Sequence, residues 1–149
     1  MNRLNRWVIV GMVAAIPQFS GCQKQAGTQV EHASPATVEH IDGSEISRVT
    51  LSEDAMKRLD VQTTAVTEET SPRTESAQKA VPYGALIYDP QGKTWVYTNP
   101  QPRVFVRAAI DVDYIQGDLA YLSNGPETGT KVATVGTAEL YGTEFTVGH

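Results

Sequence analysis

The sequence predicts a mainly β chain: a small antiparallel barrel or sandwich-like domain with one short helix, preceded by a signal peptide and a flexible tether. Three observations carry this. From Arg103 to Tyr114, Val104, Val106, Ala108, Ile110, Val112 and Tyr114 alternate with Phe105, Arg107, Ala109, Asp111 and Asp113. That is the period of a strand with one buried face. Turn-forming clusters recur at Asp89–Gly92, Asn99–Pro102, Gln116–Gly117 and Asn124–Gly129, spaced as hairpins require. One segment, Glu53 to Leu59, combines a helix cap with an apolar stripe.

The 149 residues suit one domain behind a leader. Arg3 and Arg6 give a positive start, and the apolar run Trp7 to Ile16 is too short to span a bilayer. Pro17 ends it, and Phe19-Ser20-Gly21-Cys22 supplies small residues before a cleavage point. Cys22 is the chain's one cysteine, so it has no internal disulfide partner. Its setting resembles a bacterial lipobox, with Phe19 where that motif usually has leucine. The resemblance implies acylation at Cys22, a mature chain beginning there, and a lipid anchor on the periplasmic face of the cell envelope. Gln23, rather than aspartate, follows the cysteine, which by the same resemblance implies the outer membrane in a host with two membranes. Removing residues 1–21 takes away two of the 12 basic residues, leaving 10 against 17 acidic ones, a net charge of −7. This balance disfavours nucleic acid and anionic lipid as partners.

Residues 22–45 are polar and scattered with glycine and proline, which reads as a lipidated tether. Ile46 to Leu51 alternates as a strand. Ser52 is placed to cap a helix over Glu53 to Leu59, whose acidic start and basic end suit the helix dipole. Val61 to Thr67 reads as a strand. Glu68 to Lys79 has no large apolar residue and reads as a loop. Val81 to Tyr88, Lys93 to Thr98, Arg103 to Tyr114, Asp118 to Ser123 and Lys131 to Val135 read as strands between the turns. Thr137 to Tyr141 reads as a helical turn, closing a β domain over residues 46–141, and residues 142–149 read as a weakly extended tail.

The pattern offers no catalytic constellation. The candidate imidazole bases are His32, His40 and His149, two in the tether and one at the last position. His32 and His40, each preceded by glutamate, are weak candidates for a metal site because no rigid element holds them. Asp111 and Asp113 share one face of a strand and read as its solvent side. The strand aromatics read as packing more than as a ligand platform. The chain is therefore expected to be neither an enzyme nor a cofactor carrier.

"VPYGALIYDPQGKTWVYT" and "FVRAAIDVDYIQGDLAYLSNGPETGTKVATVGTAEL" resemble the C-terminal part of the periplasmic adaptor subunits, or membrane fusion proteins, of resistance–nodulation–division efflux systems. The matching features are Val81-Pro82, Ala85, Gly92, Trp95-Val96-Tyr97, Phe105 with Arg107, Gly125 with Gly129, Val132 to Val135, and Gly136 with Leu140. Val49 to Val66 resembles the segment preceding that family's central domains. Together the matches span about 80 of the mature residues. The chain departs from the family in having no lipoyl Gly-Asp-x-Val turn and no heptad run, and the segment at Glu68 to Lys79 stands where those domains would be inserted. The resemblance implies the membrane-proximal domain alone, partnered by an efflux transporter or adaptor complex, with Trp95, Tyr97, Phe105 and Arg107 as docking candidates. The alternative is a stand-alone periplasmic lipoprotein that binds a metal or small ligand.

Overall fold

The computed structural model describes residues 34–146. The fold is mainly β and antiparallel, with strands β1 (Ala36–His40), β2 (Ser47–Leu51), β3 (Gln62–Ala65), β4 (Thr67–Thr70), β5 (Ala77–Pro82), β6 (Ile87–Tyr88), β7 (Thr94–Gln101), β8 (Val104–Gln116), β9 (Leu119–Asn124) and β10 (Lys131–Val135). Two helices join them, α1 (Glu53–Arg58) and α2 (Thr137–Thr146), with a 3-10 turn at Tyr83–Ala85.

The hydrogen-bonded path runs β3-β10-β7-β8-β9-β5-β4. Its two ends, β3 and β4, are consecutive in the chain and separated by Val66 alone. One extended segment thus carries both edges, and the sheet curls to meet it. Val66 sits at this seam, 1 % exposed, with its N–H donating to the Thr130 carbonyl at 2.8 Å. Inside the curl, Val66 packs with Val81, Leu86, Val96, Ile110, Leu122 and Val132.

The long strand β8 turns the corner. Its first half pairs with β7 on one side and, at Val104–Val106, with β2 on the other. Its second half pairs with β9, with register shifts at Asp111/Val112 and Val112/Tyr114. Such bulges bend a strand and change which face its residues occupy. Tyr114 accordingly joins Ala80 and Tyr121, whose neighbours Val81, Ala120 and Leu122 belong to the interior. Tyr114 therefore lies on the outer face and not on the buried stripe that runs through Ile110.

Outside the curl, a second core buries the far face of β7, β8 and β10. It contains Val49, Leu51, Ala55, Tyr97, Phe105, Ala133 and Leu140, brought by the β1–β2 hairpin, α1 and α2. Ser52 caps α1, its Oγ accepting from the Ala55 N–H at 3.1 Å.

Four expectations need correction. Val81 to Tyr88 is not one strand, because β5 ends at Pro82 and the 3-10 turn at Tyr83–Ala85 separates it from β6. The tether does not extend through residue 45, because Ala36–His40 pairs in register with Ser47–Leu51. With two apolar residues, Ala36 and Val38, this strand has too weak an alternation to be read in isolation; the ladder to β2 orders it. Glu68 to Lys79 is a hairpin, not a loop. β4 and β5 pair from Thr67↔Ala80 to Thr70↔Ala77, which sets Glu68 opposite Lys79. The Ser71 N–H donates to the Ser76 carbonyl at 2.8 Å to close its tip. Buried Ser71 also hydrogen-bonds the Tyr114 hydroxyl at 2.8 Å, and the Arg73 guanidinium lies 4.0 Å over that ring. Finally, residues 142–146 are not tail: they complete α2, whose Glu144 is buried.

Candidate functional site

The outer face of β7 and β8 holds the four residues proposed for docking. Trp95 and Tyr97 stand on β7, Phe105 and Arg107 on β8, and Tyr97 pairs directly with Arg107. The structure brings them together but divides them by depth. Tyr97 and Phe105 are fully buried and present no surface to a partner. Arg107 is 6 % exposed, and Trp95 is half-buried. The alternation sets Phe105 and Arg107 opposite the stripe through Ile110, on the side where Asp111 reads as solvent-facing, although the strand aromatics themselves read as packing, which is what Tyr97 and Phe105 do. The α2 helix covers that face instead.

What α2 brings is a carboxylate. Glu144, 5 % exposed, receives four hydrogen bonds. Its Oε2 accepts from the Tyr97 hydroxyl at 2.5 Å and from Arg107 Nε at 3.2 Å. Its Oε1 accepts from Arg107 Nη2 at 3.3 Å and from the Ser47 N–H at 3.1 Å. This is the two-pronged guanidinium–carboxylate arrangement that fixes orientation as well as charge. A buried charge is tolerated only when paired and hydrogen-bonded, and here both requirements are met.

Arg107 is also stacked. Its guanidinium carbon lies 4.2 Å over the Trp95 ring and 5.1 Å from the centre of the Phe145 ring. Weak hydration and a planar shape suit arginine to such a position. Nη2 additionally donates to the Glu45 carbonyl at 3.4 Å. Phe145, 41 % exposed, packs in turn on Tyr141 at 4.7 Å between centroids.

Beyond this stack a groove of about 770 Å³ opens to solvent, with Arg107, Trp95 and Phe145 among its walls and Glu45, Asp89 and Lys93 around it. Asp89 organises the turn at its edge. Its Oδ2 accepts from the Trp95 indole N–H at 2.9 Å, and its Oδ1 from the N–H groups of Gln91 and Lys93 at 3.0 and 2.8 Å. Partial desolvation pushes its pKa upward, but the bonds from Trp95, Lys93 and Gln91 outweigh this and hold it below the usual carboxylate value. A folded pKa below the unfolded one stabilises the fold above the unfolded value, and that contribution fades as acid reaches the folded one.

Burial raises the Tyr97 pKa far above that of a free phenol, and the hydrogen bond to Glu144 raises it further. The neutral phenol therefore belongs to the folded state. Its stabilisation is complete below the unfolded tyrosine value and is lost as alkali rises past it. In an alkaline titration followed by ultraviolet absorbance and circular dichroism, Tyr97 is expected to ionise only together with unfolding. Its phenolate step should disappear in Tyr97→Phe. A Tyr97 step that precedes loss of the fold would contradict the buried geometry.

Cys22 and His32 lie outside the described residues. His40 ends β1, exposed, and no group of three or more histidine, cysteine, aspartate or glutamate side chains that could hold a metal ion occurs among the described residues. Glu144 was missed by the sequence reading. Its one sequence signal is a lone acid between Tyr141 and Phe145, which looks like an ordinary solvent residue until α2 is placed. Comparisons with protein-family models, with curated proteins and with solved structures returned no match.

Proposed function

We propose that this chain is a lipid-anchored adaptor-like module of the cell envelope that docks on an efflux transporter or its adaptor complex and acts without catalysis. The observation that carries the reading is how two separated stretches combine. Val49 to Val66 and Val81 to Leu140 resemble the two flanks of the central domains in periplasmic adaptors. In this chain they fold into one sheet, with β3 on β10 and β2 on β8. The hairpin tip between Ser71 and Ser76 is closed by its own hydrogen bonds and lies in the stretch where the resemblance would insert those domains. A single domain built from both flanks is what the membrane-proximal part of such an adaptor requires. The role attaches to that part alone, and channel contact is not assigned to it.

Attachment would come from acyl chains on Cys22, since stable anchoring takes two or more. Among the described residues no helix is long and apolar enough to cross a membrane. The test is capture of the tagged full chain from crosslinked membranes, with Cys22→Ser beside it. Recovery of a transporter or adaptor component with the native chain, and movement of Cys22→Ser to the soluble fraction, are expected. Recovery of neither component, or membrane retention of Cys22→Ser, would overturn the docking or the anchoring half respectively.

A further inference from the structure

The groove beside the Trp95–Arg107–Phe145 stack has a floor and a rim of different character. Arg107 uses Nε and Nη2 on Glu144 and on the Glu45 carbonyl. Its third nitrogen, Nη1, makes no hydrogen bond among the described residues. Gln78 Oε1 is the single buried side-chain polar atom without a partner there. Nη1 is therefore open to the groove that Arg107 lines. An open donor on a side chain otherwise 94 % buried can exchange its water for the acceptor oxygen of a ligand. The acceptor need not be charged, because Glu144 already balances the guanidinium.

The rim points to the rest of the ligand. The Glu45 carboxylate is exposed and makes no hydrogen bond or ion pair among the described residues. Asp89, held ionised, still has acceptor capacity after its three bonds. Against these two acids stands one cation, Lys93, which makes no ion pair among the described residues and whose charge acts on Asp89, leaving Glu45 uncompensated. Between rim and floor the walls are the Trp95 and Phe145 rings. A free anion would meet Glu45 and Asp89. A lone small cation would leave Nη1 without an acceptor. An extended peptide supplies both, with a backbone carbonyl for Nη1, apolar side chains for the rings and basic side chains for the rim.

We propose that this groove is a recognition site for an extended basic segment of a partner protein, the partner's lysine or arginine pairing with Glu45 and Asp89 while its backbone carbonyl accepts from Arg107 Nη1. The proposal rests on the docking reading above and names the surface through which docking occurs. Opposite charge at a rim steers encounter and register more than it adds affinity, and aromatic contacts supply most of the binding.

Trp95 is a built-in reporter. The chain has two tryptophans, Trp7 and Trp95, and Trp7 lies in the leader, so the chain from Cys22 onward reports on the groove through Trp95 alone. It would be titrated in detergent at low ionic strength with two blocked hexapeptides of alternating leucine, one with arginine and the other with glutamate between the leucines. The basic peptide is expected to change Trp95 emission saturably, less so at high salt, and the acidic peptide to leave it unchanged. Glu45→Gln should weaken the basic peptide about threefold, and Phe145→Ala about tenfold. Equal responses to both peptides, no response to either, or indifference to Glu45→Gln and Phe145→Ala would each overturn the proposal. Membrane capture separates the two readings. A transporter still recovered at native yield by Glu45→Gln and Phe145→Ala leaves docking standing and removes the groove from it. Peptide binding without transporter capture does the reverse.

Discussion

Replacing Glu144 with alanine is expected to destabilise the fold by about 3–5 kcal/mol, the usual consequence of leaving a buried charge without its partner. Arg107 would keep its place under α2 with Nε and one arm of Nη2 facing no acceptor, and the Tyr97 hydroxyl and Ser47 N–H would lose theirs as well. Set against a total stability of about 5–15 kcal/mol, the variant would sit close to unfolding. Urea denaturation followed by circular dichroism measures the effect. The loss is a penalty for a stranded charge rather than the worth of the pair. Exchanging the whole cluster, as Tyr97→Phe, Arg107→Met and Glu144→Leu together, should therefore restore much of the stability, because both buried charges and the hydroxyl go together and only the Ser47 N–H and the Glu45 carbonyl lose a partner. A Glu144→Ala variant as stable as the native protein would mean that α2 does not lie over β7 and β8 as described.

The same cluster shows which parts of the fold a sequence can announce. The alternation of β8, the turn at Asp89–Gly92 and the cap of α1 are local, and each was legible because one short stretch contains its whole cause. The identity of the buried face was not. Period two tells which residues share a side, but choosing the solvent side assumes that one side is wet. Here both sides of β7 are covered, Val96 by the interior and Tyr97 by α2. Arg107 was thus read as a surface residue because its partner lies 37 positions away. The helix carrying that partner has Gly142 and three threonines along it, which weaken its apolar stripe. The bulge before Tyr114 has no residue that marks it. The β4–β5 hairpin escaped for a different reason. Its outer residues are polar on both faces, and it is held by ladder hydrogen bonds and by the Ser71–Tyr114 contact, not by an apolar stripe. Of the docking candidates, the pattern found the right patch of sheet and misjudged its depth.

Depth decides the fate of Phe105. Its side chain is fully buried, paired across the ladder with Val49 and packed in the outer core with Leu51, Tyr97 and Leu140. Phe105→Ala is expected to cost about 3–5 kcal/mol through lost burial and the cavity left behind. Phe105→Leu should recover most of that, since it keeps much of the volume and stays apolar. The contrast is with Phe145→Ala, which removes a ring already 41 % in solvent and opens no cavity. That change is expected to fall within about 1 kcal/mol of the native protein while it alters the groove. The pair thus separates packing from recognition by two readouts, urea denaturation and binding of the basic peptide. Phe105→Ala should lose stability, and where it remains folded it should bind as the native chain does. Phe145→Ala should keep stability and bind about tenfold more weakly. If Phe105→Ala instead matched the native protein in stability and lost binding, Phe105 would be a surface residue, and α2 and the β1–β2 hairpin would have to stand clear of the sheet.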